Sequence, residues 1–494
     1  MSPAIAAPEG FLLILAVFVP VLGIPLTLVL GGRYAHRVAA VLLPLGLSIA
    51  IAIAVSVIRR GDALEYVPGG WAPPLGVLLR ADGLSVAVLL TTAIVIAAIG
   101  LYSRSDFTVP RGVPEARAPF AFWTLLMTVW AGLNTVFLAS DLFTLFIAME
   151  LLTLGVIPLV ALSGRAEALT AALRYLIFTL LGSALFLLGA ALLYGSYGTL
   201  DIALLAERVR AEPAAQVAAA LMTVGLLGKT GLFPLHFWLP AAHAWAPAAV
   251  SALVSGLVVK GSFVLIIRVW VDALPGIATP MAAQLLAALG ATAILVGGVL
   301  ALRQERLKML VAYSTVAQIG FLFLAFPLAA ATQIGAAAWT GGILQAVSHA
   351  LAKASMCLAA GLIVKAIGHD RIADMSGIGR VMPMTLIAFG LAGLSLIGLP
   401  PSGGFFAKWL LLRAAIDGVQ WWWALVIVSG GLLTGGYLFR VLSRALARSD
   451  GMPTLRAPVN RRGELLVLGL ALLSIAMGLF PLASFSIVHI GRVL

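Results

Sequence analysis

Five charged residues stand where this chain has least use for charge. Glu150, Lys229, Lys260, Lys353 and Lys408 each interrupt a long run of apolar residues, and His349 lies four residues before Lys353. On a helix that spacing puts the imidazole and the amine on one face. Carboxylate, amine and imidazole are the side chains that take up and release protons, and a Lys–Glu pair that opens and closes loads and unloads one. A charge at the centre of a spanning helix costs roughly 2.5–3.5 kcal/mol. Five of them cost on the order of 12–18 kcal/mol before pairing, more than the net stability of a typical domain. The plainer reading is that these charges pair and only hold helices together. Four lysines cannot all be neutralised by one glutamate, so that reading covers part of the set at most. Ionisable residues inside a membrane mark ion pathways and proton relays.

Other polar residues add to this set with less force. His236 and His243 flank the end of the run that holds Lys229. An unperturbed histidine titrates near neutrality, yet at a helix end it is as often an interfacial hydrogen bonder. Asn134, Ser314, Gln318, Gln345 and Ser348 could hold waters, and each alone reads first as helix-packing glue. Asp141 reads as the N-cap of the run that carries Glu150. Trp421, Trp422 and Trp423 read as an interfacial aromatic belt, and Lys365 as a snorkelling helix-end lysine.

The elements that must position these residues are membrane helices. The 494 residues are 62% hydrophobic and 10% charged, against about 25% charged in a soluble domain. Hydropathy marks about fourteen spans, each near the length that crosses the hydrocarbon core. They cover 10–30, 38–58, 83–101, 119–138, 142–162, 169–195, 217–239, 248–270, 281–302, 307–326, 334–364, 382–414, 421–438 and 465–488. Strands of a β-barrel would be half as long and alternating. The first run has no basic leader and no clear cleavage site, so it reads as a retained span. Connections are short, and 440–464 reads as a basic surface loop.

Two spans are interrupted by proline. The seventh reads GLLGKTGLFPLHFWLP and breaks at Pro234; the twelfth reads SLIGLPPSGGFFAKW and breaks at Pro400 and Pro401. Each break has glycines and a lysine beside it. Broken helices at matching places in two halves of a chain point to inverted repeats around a binding site, because the freed backbone groups need protein or water as partners.

Charge sets the orientation. The side that holds the loop after the first span carries 19 of the 31 Lys and Arg residues, and the opposite side carries 8. The basic side is expected to be cytoplasmic, which places both termini outside an inner, cytoplasmic membrane. The net charge of +12 is therefore a topology signal, with attraction to anionic lipid as a side effect, and not a nucleic-acid footprint. The single cysteine, Cys357, excludes disulfide frameworks, iron–sulfur clusters and cysteine zinc sites. No HExxH, Walker, Rossmann or CxxCH pattern occurs. No cofactor, no metal and no active site of its own are expected.

Four segments resemble a known family. SDLFTLFIAMELLTL surrounds Glu150, and GLLGKTGLFPLHFWLPAAHAWAPAAVSALVSGLVVKGSF carries Lys229 and Lys260. RLKMLVAYSTVAQIGF forms the tenth span, and SHALAKASMCLAAG is followed by LIGLPPSGGFFAKW. Together they are similar to the antiporter-like subunits shared by respiratory complex I, group 4 membrane-bound hydrogenases and Mrp-type cation/proton antiporters, over roughly residues 82–440. The resemblance implies an all-α polytopic fold of about fourteen spans. Residues 1–118 would form an N-terminal three-helix segment, 119–270 and 279–445 two inverted five-helix repeats, and 446–494 a loop and last span. It implies a proton relay through Glu150, Lys229, Lys260, His349, Lys353 and Lys408, seconded by His236 and His243. Lys408 stands where one complex I type usually has glutamate, and His236, His243 and PAAVSALVSGLVVK look closer to the hydrogenase and Mrp types.

The expected function is proton translocation as one subunit of a larger complex, with other membrane subunits and soluble redox subunits as candidate partners. One alternative is a subunit of a gradient-driven Na⁺/H⁺ antiporter; another is a non-transporting anchor of a redox complex.

Overall fold

The long apolar runs fold as helices, the only open-chain form that satisfies its own backbone in lipid, and 81% of the structure is helical. The computed structural model describes residues 8–109, 116–329, 335–448, 455–480 and 482–492. Among these, twelve helices are long and apolar enough to cross a membrane, from Phe11–Leu30 to Arg461–Leu479. The chain is a multi-pass integral membrane protein.

The expected seventh and twelfth spans are not among those twelve, because each is cut in two. The seventh is a helix Pro213–Thr230 followed by a short helix Trp238–Trp245. Gly231 takes the left-handed conformation with φ 71°, which ends a helix cleanly, and Pro234 cannot donate to a continued ladder. The twelfth runs Pro383–Ile397, turns at Gly398 (φ 87°) and restarts as Gly403–Asp417. Ser402 caps the restart by accepting a hydrogen bond from the Phe405 amide at 3.1 Å. Asp141 caps the Glu150 helix, Leu142–Val160, in the same way through the Thr144 amide at 2.7 Å.

Three features depart from the expectations. A two-stranded antiparallel hairpin, Leu64–Tyr66 with Leu79–Ala81, precedes the third span. The helix Trp421–Leu446 continues into the expected basic loop, whose residues 449–454 lie outside those described. Trp421 and Trp422 are exposed, but Trp423 is buried and its Nε1 donates to Gln284 Oε1 at 3.1 Å. Three successive helical residues, each turned about 100° from the last, do not share one face.

The chain divides into two compact units. The first comprises Met1–Thr230, Val258–Thr279 and Ser486–Leu494. Within it, helix Ala166–Tyr197 crosses helix Pro213–Thr230 backbone to backbone. A Cβ on Gly182 would lie 2.6 Å from the Gly225 carbonyl oxygen, and one on Gly225 would lie 2.3 Å from that of Gly182. Small residues permit such an approach in membranes, and this one seats Lys229, one turn past Gly225, against the sixth span. The second unit comprises Gly231–Leu257 and Pro280–Phe485. Ile294, Phe321, Leu411, Ala415 and Trp423 belong to its apolar core.

Candidate functional site

In the first unit, Glu150 and Thr153 lie three residues apart on helix Leu142–Val160 and so face the same way. Lys229 reaches both from the last turn of helix Pro213–Thr230. Its Nζ donates to Glu150 Oε1 at 3.0 Å and to Thr153 Oγ1 at 3.2 Å. Ser183, on the sixth span, donates to the same carboxylate oxygen. The lysine is buried, whereas 24% of the glutamate side chain stays exposed. The placement suits an ammonium doubly, since the C-terminal turn of a helix carries partial negative charge. A cavity of about 10 Å³ adjoins the pair, lined by Met149, Leu152, Thr153, Tyr175, Thr179, Lys229, Val258 and Ser262.

Lys260 is buried in the eighth span, Ala248–Ala273. The preceding turn, Val254–Val258, is a wide π-helical one. Such turns are rare overall and frequent at functional sites; composition alone carries no signal for this one.

In the second unit, helix Gly335–Ile367 presents Gln345, His349 and Lys353 at four-residue intervals, all buried. Lys353 Nζ donates to the Val311 carbonyl at 2.9 Å and to the Ser314 hydroxyl. Ser314, which alone reads as packing glue, is thus a lysine ligand. Gln345 Nε2 donates to Gln318 Oε1 at 3.0 Å, and Gln318 Nε2 donates to the Leu396 carbonyl at 3.0 Å. That carbonyl also accepts from Lys408 Nζ at 2.6 Å; the Ile397 carbonyl accepts at 3.2 Å. Both carbonyls end the first half of the broken twelfth span, where a helix leaves acceptors without internal donors. The Lys408 ammonium also lies 4.1 Å from the centroid of the Phe321 ring, a cation–π distance. Among the described residues neither Lys353 nor Lys408 forms an ion pair. Ser348, Ser395 and Ser474 meet in a buried hydroxyl cluster, with oxygen separations of 2.9 and 2.7 Å.

The two secondary histidines lie in the second unit. His236 is buried in the turn after Gly231, stacked between Phe233 and Phe237 at centroid distances of 5.4 and 4.7 Å. His243 is buried in helix Trp238–Trp245, where its carbonyl accepts from Ser251 Oγ at 2.7 Å. Pro234, Pro400 and Pro401 sit at the two helix breaks.

A second charge cluster in the first unit is signalled only in part by the spacing of its residues. Arg268, near the end of the eighth span, grips both carboxylate oxygens of Asp82, at 2.6 and 3.0 Å. It also reaches Asp272 at 2.7 Å and Ser85 Oγ at 2.8 Å. Arg492 lies 3.4 Å from Asp82 and 3.0 Å from Asp272. Burial pushes the Asp82 carboxyl up, but the Arg268 and Arg492 guanidiniums override it and hold it well below the usual carboxylate range. An arginine inside the eighth apolar run is one cue. Asp272, four residues on, is a helical-spacing partner, whereas Asp82 and Arg492 lie too far along the chain to be paired with it by spacing. Two acids and two arginines so matched form a clamp rather than a relay.

The chain is similar to known proteins over most of its length. The family described as "NADH:quinone oxidoreductase/Mrp antiporter, TM" matches residues 139–434. NADH-quinone oxidoreductase subunit N of Desulforudis audaxviator is 33% identical, over 87% of this chain and 87% of the relative. A subunit of the Na⁺/H⁺ antiporter of Alkalihalophilus pseudofirmus is 30% identical, over 78% of this chain and 77% of the relative. A chain in the structure of the Mrp complex from Dietzia sp. superposes with a TM-score of 0.86 at 25% identity, covering 97% of this chain and 96% of that one.

Proposed function

This chain belongs to the NADH:quinone oxidoreductase/Mrp antiporter family of membrane subunits, and we propose that it moves protons across its membrane as part of a larger complex. The Glu150–Lys229 pair is the observation that carries this reading. A buried amine is held by a carboxylate that keeps partial contact with its surroundings, so the pair can open without stranding the acid. Lys260, His349, Lys353 and Lys408 are the further carriers. Lys353 and Lys408 rest on neutral oxygens, so neither has to leave a carboxylate to give up its charge. Moving one charge against 100 mV takes about 2.3 kcal/mol, within reach of making or breaking one desolvated pair.

The chain's own residues supply acids, bases and hydrogen-bond acceptors, and the driving energy comes from partner subunits or from an existing gradient. The family's members sit in multi-subunit membrane complexes, and other membrane subunits are therefore the partners here. Soluble redox subunits are a finer proposal. The placement is that of a cytoplasmic membrane with both termini outside, as the basic side requires. Spans four to eight and nine to thirteen form the two inverted repeats; the matched breaks at Pro234 and Pro400–Pro401 support this.

A second reading, gradient-driven exchange of Na⁺ for protons, is favoured by the similarity to a Na⁺/H⁺ antiporter subunit. The relay residues, one carboxylate and four lysines, suit protons better than a cation that prefers oxygen ligands.

Two experiments test the reading. Gentle affinity purification from native membranes, with every co-purifying subunit identified by mass, separates the hosts. Soluble iron–sulfur or nickel–iron subunits mean a redox-driven pump; small membrane subunits with similar large chains mean an antiporter. In the purified complex, Lys229→Ala should abolish proton transport, and transport at the native rate would sink the relay.

A further inference from the structure

Four arginines of the first unit gather at the rim that charge marks as cytoplasmic, with few acids to match them. Arg33 and Arg37 stand in the first two turns of the second span, Gly32–Arg60. Arg104 follows the third, Gly83–Ser103, and Arg117 opens the fourth, Arg117–Leu138. All four are exposed. A Cβ on Gly32, beside Arg33, would lie 3.4 Å from the carbonyl oxygen of Ala116, beside Arg117. Arg37 and Arg104 both act electrostatically on the His36 imidazole. The Arg37 guanidinium carbon lies 5.1 Å from the centroid of the exposed Tyr34 ring. Among the described residues none of the four arginines forms an ion pair or a side-chain hydrogen bond. Segments 31–37, 103–107 and 116–120 hold one acid, Asp106. Arg268 and Arg492 of the same unit are treated otherwise, each matched by Asp82 and Asp272. Below the arginines the surface is apolar. Phe18, Leu22, Leu26 and Leu30 repeat every four residues along the first span, and all are exposed. At a rise of about 1.5 Å per residue this stripe is about 18 Å long, close to one leaflet's half of a hydrocarbon core about 30 Å thick. On the second span Val41 and Leu45, also exposed, continue the four-residue spacing of Arg33 and Arg37 and so lie on their face.

We propose that Arg33, Arg37, Arg104 and Arg117, with the apolar stripes of the first two spans, bind an anionic phospholipid of the cytoplasmic leaflet. Its phosphate lies among the guanidiniums and its acyl chains lie along the stripes. A guanidinium presents paired N–H donors in a planar fork that fits phosphate oxygens. Four guanidiniums against one carboxylate leave a net positive rim, so the complement is an anion. A soluble anion would leave the stripes bare, and an apolar partner helix would leave the arginines unanswered; an anionic phospholipid satisfies both. Basic pockets at the cytoplasmic ends of spanning helices take anionic head groups in this way. The exposed Tyr34 ring, stacked under Arg37, sits where aromatic side chains favour the head-group level.

The test uses the complete native complex, stripped of lipid in detergent. It is given dioleoyl phosphatidylglycerol or dioleoyl phosphatidylcholine, which share their tails. Bound lipid is counted by native mass spectrometry, and stability is read by melting. Phosphatidylglycerol should bind and raise the melting temperature, and phosphatidylcholine should bind at least about tenfold more weakly. Arg37→Gln combined with Arg104→Gln should weaken phosphatidylglycerol at least about tenfold. Arg380→Gln, at an exposed arginine of the second unit on the same side, should leave its affinity native. Equal binding of the two lipids overturns the proposal, because the stripes alone would then hold either. Equal weakening by Arg380→Gln overturns it as well, because the attraction would be diffuse surface charge. Inorganic phosphate that stabilises the complex as much as phosphatidylglycerol would show that the tails are irrelevant and exclude a lipid. If the double variant sheds a membrane subunit while its lipid count stays native, the face docks a protein and the lipid reading fails. Lys229→Ala, which tests the relay, should leave lipid binding unchanged, so the two readings stand or fall separately.

Discussion

Glu150→Gln removes the charge and keeps the shape, so its effect can be worked from the contact it alters. Lys229 Nζ stands 3.0 Å from Glu150 Oε1. At that distance and an effective dielectric near 20, Coulomb attraction is about 5–6 kcal/mol. The desolvation of both groups and the exposure of 24% of the glutamate side chain reduce the net value. A loss of about 3 kcal/mol is reasonable, the low end of the cost of orphaning a buried charge. Taken as a loss of the loaded, ammonium form, this slows transport roughly 100-fold, at 1.36 kcal/mol per decade. The assay is proton uptake by proteoliposomes holding the intact variant complex, with subunit composition checked by mass. Ser183→Ala, which takes away one hydrogen bond to the same oxygen, should cost about tenfold or less. Asp141→Asn, at the helix cap, should leave the rate within about twofold. A fully assembled Glu150→Gln complex that pumps at the native rate refutes the assignment of the pair as the loading site.

Lys353→Met and Lys408→Met should each abolish transport while leaving the complex assembled, because neither lysine neutralises a buried acid; subunit loss on purification would contradict this. Gly225→Val places a branched side chain where even a Cβ would lie 2.3 Å from the Gly182 carbonyl oxygen. It should lower thermal stability in detergent by several kcal/mol and transport with it, and an unchanged melting temperature would sink the account of that crossing. Asp82→Asn removes one of the two carboxylates that neutralise Arg268 and Arg492, leaving both to Asp272, and should cost about 3–5 kcal/mol, read by the same melting assay. The folded-state pKa of Asp82 is lowered by the Arg268 and Arg492 guanidiniums, so its stabilisation is complete above the ordinary carboxylate value of about 3.9. It is lost only as pH falls further, through the folded value; a loss of the native–variant difference between pH 7 and 5 would contradict the pairing.

How much can be read from the residues varies with the range of the interaction. Helices, breaks and buried lysines are local: a run of apolar residues, a Pro with glycines, a Lys in the wrong place. Those are legible, and so is Asp141 as a cap. The partners are not. Lys353 resting on Ser314, Lys408 on the carbonyls of Leu396 and Ile397, and Asp82 on Arg268 all depend on which helices pack side by side. No spacing rule supplies that. The hairpin at Leu64–Tyr66 and Leu79–Ala81 is two three-residue strands, too short for alternation to register. The wide turn before Lys260 has no compositional cue at all. Trp423 departs from the expected aromatic belt because three like residues in a row suggest one role, whereas a helix turns them toward different surroundings.

The Leu396 and Ile397 carbonyls that hold Lys408 have a genetic consequence. Main-chain oxygen is present whatever residue occupies those positions, so point substitution there leaves the lysine its acceptors. A mutational scan should then find Lys408 intolerant of replacement while 396 and 397 accept many apolar residues, and a search for compensating second-site changes should return no reciprocal partner for it. Glu150 and Lys229 are the opposite case, a side-chain pair in which each member can betray the other. Inheritance would therefore record one relay group in two columns of an alignment and the other in a single column.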